Sequence, residues 1–147
     1  MKRQRLTRAY GFTLIEVLVV ILVIAILVAL ALPNFKKSRE SAFNKEAKAN
    51  LKLIQAAERI YYIENAFFLP PPGEGPADSI KINTWLKLTL PTGSGPHNIW
   101  DYATTSQGAA NATRRGSDER VWTLEKDQGE PACACPSGAT ECYCPKD

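Results

Sequence analysis

The chain contains a single histidine, His97, in a Gly/Pro-rich stretch with no evident nucleophile or acidic partner beside it, so a solvated loop residue is expected there. It carries no catalytic or cofactor-binding motif and no C-x-x-C-H haem attachment; an enzyme is not expected and no cofactor is implied. A concentrated basic face is also missing. The net charge of +3 is more than accounted for by Lys2, Arg3, Arg5 and Arg8, and the remainder carries 14 Lys+Arg against 15 Asp+Glu. Nucleic acid is therefore not indicated as a partner. Cysteine is absent until the last fifteen residues, glycine and proline are absent from Lys36 to Phe68, and no internal repeat is evident.

What is present begins with an uncharged run. Val17 to Leu32 is sixteen apolar residues without interruption, and Phe12 to Leu32, at 21 residues, meets the roughly 20 needed to cross a bilayer core as a helix. A secretory signal has a shorter apolar region, roughly 7–15 residues; Ala29-Leu30-Ala31 matches its cleavage pattern only weakly. Lys36, Lys37, Arg39, Lys45, Lys48 and Lys52 follow the run as basic residues precede it, so charge does not set the orientation. The first three of these suit lipid headgroups. Glu16 stands as a lone carboxylate at the mouth of the run, and such residues are functional candidates by default.

Helix-forming composition continues from Lys36 to Phe68. Phe43, Ala47, Leu51, Ile54, Ala57 and Tyr61 recur at spacings of three and four and mark one apolar stripe, with Lys45, Lys48, Lys52, Glu58 and Arg59 largely elsewhere. Pro33 is the one interruption, expected to kink or loosen the helix. Phe12 to Phe68 would be a 57-residue helix about 85 Å long, too long for a domain of this size to cover. Its first half must find lipid or copies of itself.

After Pro70-Pro71-Pro72-Gly73 the pattern changes to short runs divided by turn residues. Ser79 to Leu90 holds a short helix or a strand. Ile99–Thr105, Ala109–Arg115 and Arg120–Lys126 read as three strands of an antiparallel meander, with Trp85, Trp100, Tyr102 and Trp122 as core residues. The fold class is α+β: a sheet too small to stand alone, packed on the stripe of the second helix half. Asn111-Ala112-Thr113 matches a glycosylation sequon but reads as plain strand.

The four cysteines form Cys133-Ala-Cys135 and Cys142-Tyr-Cys144. Three pairings are available and sequence does not choose among them. A bridge inside either C-x-C would be strained, which favours one pair crossing between the dipeptides or two nested ones. Zinc or iron on four thiolates is the competing reading, but zinc sites favour about two to four residues between paired ligands. Paired cysteines place the C-terminal part outside the cytoplasm, and no resident metal is expected.

A basic leader, then Gly11-Phe12-Thr13-Leu14-Ile15-Glu16 and an apolar helix, resembles the type IV pilins and the related type II secretion pseudopilins. The resemblance implies that a prepilin peptidase cuts between Gly11 and Phe12 on the cytoplasmic side and methylates the Phe12 amine. It divides the chain into a leader (1–11), a membrane and filament-core helix (12–33), an amphipathic half (34–69) and a sheet region (70–147). It gives Glu16 a partner, the Phe12 amine of its own or a neighbouring subunit, which sets register in assembly. The plainer alternative for Glu16 is a carboxylate at headgroup depth favoured by the helix dipole. Pro33 resembles the proline near which the helix loosens in many members; the alternative is a boundary residue at the membrane exit.

The implied partners are copies of the chain in a helical filament, the peptidase, an inner-membrane assembly platform with its ATPase machinery, and lipid before assembly. The implied location is the inner membrane as a single-pass protein, then an extracellular pilus at the cell surface. A C-terminal disulfide loop fits the family, although four clustered cysteines exceed the usual two. The rival within the family is the major pseudopilin of a type II secretion system, which often has a calcium-binding acidic loop; Asp118, Glu119 and Asp127 are not arranged as one. A rival of another class is a monomeric membrane-anchored metal or redox module using the cysteines.

Overall fold

The computed structural model describes residues 11–93, 95, 98–116, 119–138 and 142–145, without the side chains of 31–34. Among the sequence expectations, the leader up to Tyr10 with Lys2, Arg3, Arg5 and Arg8, together with His97 and Asp118, lies outside the described residues. The chain divides into two units, Met1–Ser38 and Arg39–Asp147, and helix α1 (Leu14–Asn65) has residues in both.

Helix α1 begins where Thr13 turns its side chain onto the first helical amides. Its Oγ1 accepts from the Glu16 N–H at 3.3 Å, and Thr13-Leu14-Ile15-Glu16 has the spacing of a capping box. The start is therefore Leu14 rather than Phe12. The helix includes Pro33 and stops at Asn65, short of the expected Phe68. Ala66 takes a left-handed backbone (φ 65°) while its N–H still bonds to the Tyr62 carbonyl at 2.8 Å. Phe67 and Phe68 then turn back against the last turns of the helix: Phe68 stacks on Tyr62 at 4.5 Å and Phe67 meets Tyr61 edge-on at 5.8 Å. The apolar Phe-Phe-Leu reads as more helix in sequence because its partners lie one or two turns earlier.

The stretch Ser79–Leu90 resolves as a helix, α2 (Ser79–Leu86). Asp78 caps it by accepting from the Lys81 N–H at 2.9 Å, and Lys87 closes it in a left-handed conformation. Five strands, β1 (Ala77–Asp78), β2 (Trp100–Thr104), β3 (Ala110–Arg114), β4 (Val121–Leu124) and β5 (Ala132–Ala134), make one antiparallel sheet in sequential order. The three expected strands are the three central ones. Both edge strands were missed, since two or three residues show no alternation to detect.

The register explains the core. Tyr102 pairs with Ala112, Ala112 with Trp122, and Trp122 with Cys133, so large aromatics alternate with alanine across the inner face. Ala47, Leu51 and Ile54 of α1 are fully covered and join Trp100, Tyr102, Trp122, Ile82 and Leu124 in one cluster. Trp85 was expected in this core and is not there. It is half-buried on α2 and stacks on Tyr61 at 6.4 Å. A β carbon on Gly108 (φ +80°) would meet the Phe68 ring at 3.1 Å, so the turn before β3 needs glycine to let Phe68 seat.

Candidate assembly site and cysteine knot

Gly11, Phe12 and Thr13 lead into α1 and Glu16 stands in its first turn, all exposed. Glu16 sits at the helix N-terminus, where a carboxylate favours the unsatisfied N–H groups. Beyond it, Val17 to Leu30 leave their large apolar side chains about half exposed, from 48 % for Val17 to 69 % for Leu30. That is a continuous apolar surface in a stretch where a soluble monomer would show isolated residues. Among the described residues, no single helix is long and apolar enough to cross a membrane; Leu14–Leu30 and Phe35–Asn65 meet that test only as a pair, by length and composition. The backbone of Pro33 lies within α1.

In the second unit, polar residues that sequence placed nowhere in particular hold the sheet to the helix. Arg120 is fully buried: its Nε donates to Asn44 Oδ1 at 2.9 Å and its Nη2 to Glu40 Oε2 at 2.8 Å. Glu40 also takes Arg114 Nη2 at 3.4 Å, and Arg114 lies over the Phe43 ring at 4.6 Å. Asn44 Oδ1 accepts a second bond, from Trp122 Nε1 at 3.2 Å, and its Nδ2 donates to the Tyr143 carbonyl at 2.8 Å. Buried charges need such pairing, because an unpaired one would cost several kcal/mol. One signal was available: Asn44 and Glu40 lie three and seven residues before Ala47 and so extend its stripe toward the N-terminus, and β4 is preceded by Arg120 at the inward end of its alternation.

Glu58 corrects the sequence reading. Expected away from the apolar stripe, it is buried, with Oε2 accepting from the Leu69 N–H at 3.1 Å. Burial pushes its carboxyl up from 4.5 to about 7, with the Leu69 amide and the Thr104 hydroxyl pulling it back. The Thr104 contact is poorly formed, since Glu58 Oε1 and Thr104 Oγ1 both lie buried outside hydrogen-bond geometry.

The cysteines form two nested bridges, Cys133–Cys144 and Cys135–Cys142, with Cα separations of 5.7 and 6.1 Å. They clamp the C-terminal segment along β5, where Tyr143 lies against Arg120 at 5.9 Å. Among the described residues, the only group of three or more potential metal ligands is Cys135, Cys142 and Cys144. Glu119 lines one cavity with Arg115 and Asp101, whereas Asp127 lines another with Glu58, so these two acids do not share a site.

An exposed apolar helix with a capped, acidic start, in one chain with a helix-on-antiparallel-sheet unit, defines a pilin-type subunit. Comparison with known proteins gives the family directly. Residues 6–32 match the prokaryotic N-terminal methylation motif. The type II secretion system core protein G of Escherichia coli K12 is 32 % identical over 136 residues, covering 79 % of this chain and 92 % of that one. The type IV major pilin protein PilA of Myxococcus xanthus is 44 % identical over 57 residues, 39 % of this chain and 26 % of that one. The competence protein ComGC of Halalkalibacterium halodurans is 40 % identical over 55 residues, 37 % of this chain and 54 % of that one. This chain belongs to the family of type IV pilins and type II secretion pseudopilins. It spans about a quarter of the length of the major pilin and about half that of the competence protein. No solved structure matches.

Proposed function

We propose that this chain is the structural, non-catalytic subunit of a type IV pilus-like filament. The observation that carries the reading is the half-exposed apolar surface of Val17–Leu30, beginning at a helix start capped by Thr13 and carrying the exposed carboxylate of Glu16. Such a surface has two ways of leaving water, lipid and other copies of itself, and a filament subunit uses them in turn. A prepilin peptidase cuts between Gly11 and Phe12 and methylates the Phe12 amine. Glu16, four residues on, then has an ammonium to meet, its own or a neighbour's. Each charge alone is costly in an apolar bundle; paired, they recover much of that cost and fix the subunit register. Pro33 is where the helix loosens on packing. Before assembly the chain is a single-pass inner-membrane protein with its disulfide-bearing unit outside the cytoplasm; an assembly platform and ATPase then raise it into a cell-surface fibre.

The major pseudopilin of a type II secretion system is the second reading, supported by the near full-length match to a core protein G. Electron microscopy and mass spectrometry of sheared surface filaments separate the two. The first reading expects this chain as the main component, beginning at methylated Phe12. Cells that make no filament of this chain and fail to secrete when it is deleted would replace it with the second.

A further inference from the structure

Spacing along the chain disfavours a metal site, but the fold brings together what spacing separates. In extended backbone, residues i and i+2 share a face, so each C-x-C presents two sulfurs on one side. Cys133 and Cys135 do this at the end of β5, and the nested bridging sets Cys142 and Cys144 opposite them in antiparallel order. The sulfurs also converge between the bridges. Sγ atoms of Cys135, Cys142 and Cys144 lie within 4.8 Å of one another although only the first two are bonded, and Cys133 Sγ is bonded to that of Cys144. Four thiolates around zinc, each about 2.3 Å from the ion, stand roughly 3.8 Å apart. The knot is within small side-chain rotations of that arrangement.

We propose that the reduced knot of Cys133, Cys135, Cys142 and Cys144 is a tetrathiolate site for a thiophilic divalent cation of the zinc class. The C-terminal segment then has two locked states, disulfide and metal. Passing between them needs a dithiol reductant. Each bridge takes two electrons and two protons from one dithiol, which leaves as its own cyclic disulfide, and the cation displaces the four thiol protons. Two contacts hold the segment in place after the bridges open. The Tyr143 carbonyl keeps Asn44 Nδ2 and its ring keeps Arg120, so the residue between the two C-terminal ligands stays anchored to the helix and β4 side of the core. Because the cation binds only the reduced form, its presence makes both bridges easier to reduce.

The test uses the full chain in detergent micelles, reduced with dithiothreitol, desalted without oxygen and exposed to cobalt and then zinc. The expected result is one metal per chain after gel filtration, with the visible d–d and near-ultraviolet thiolate bands of tetrahedral cobalt, both removed by zinc. The unreduced chain is expected to retain none. A Cys135→Ser/Cys142→Ser variant, keeping the outer Cys133–Cys144 bridge for folding, is expected to lose the cobalt bands. Reduced wild-type protein that retains no metal, or a double variant that retains as much with the same spectrum, overturns the proposal. Neither result bears on filament assembly, which rests on the other end of the chain.

Discussion

Two stretches of one helix have almost the same chemistry and opposite surroundings. Leu18, Leu22 and Leu30 are each more than half exposed, whereas Leu51 and Ile54 are fully covered by the sheet of their own chain. The difference lies in what accompanies each stretch. Around Leu51 the apolar residues keep to one stripe with polar residues flanking it, and a sheet with alternating aromatics matches that stripe. Around Leu22 the residues are apolar on every side, and a single small sheet cannot cover all sides of a helix. A helix apolar all round requires an environment that is apolar all round, in lipid or among equivalent helices.

Mutations sharpen this contrast, beginning with the largest effect. Arg120→Ala leaves the partly buried Glu40 beside Arg114 alone and removes a donor to the buried Asn44; about 3–5 kcal/mol of unfolding free energy should disappear, read by urea titration. Leu51→Ala removes a fully buried side chain and should cost about 2–5 kcal/mol in the same titration. Glu58→Gln acts through pH. The folded carboxyl titrates near 7 and the unfolded one near 4.5, so the folded state holds the extra proton between those values. Stability should fall as pH rises from about 4.5 to 7, by about 1–2 kcal/mol after allowing for solvent reaching the carboxyl through the adjoining cavity, and stay level above. The Gln variant should abolish that slope in melts recorded across the window. Smallest is Leu22→Ala, which should change the unfolding of the second unit by less than about 0.5 kcal/mol because Leu22 belongs to the first unit and is more than half exposed. A loss like that of Leu51→Ala would break the contrast.

Much of this contrast was legible before the structure. The apolar run, the stripe from Ala47 to Ile54 and the three central strands follow from periodicity, and Thr13 to Glu16 carries both its motif and its capping chemistry within four residues. Information split across distant positions was not legible. Arg120 finds Glu40 and Asn44 eighty and seventy-six residues away, so neither its burial nor its role is visible locally. Glu58 reads as a surface glutamate on a helical wheel until Leu69 folds back to give it an N–H. Trp85 was assigned to the core by size alone, whereas α2 turns it outward against Tyr61. The cysteine pairing depended on how the C-terminal segment returns along β5, which spacing could narrow but not choose.

The central claim is that Glu16 directs assembly of an otherwise uncovered helix. It is tested most directly by electron microscopy of cells expressing Glu16→Val, with immunoblots establishing that the leader is removed and the protein is in the membrane fraction. The account predicts normal processing and membrane insertion with filaments lost. Filaments at wild-type yield from the processed variant would contradict it.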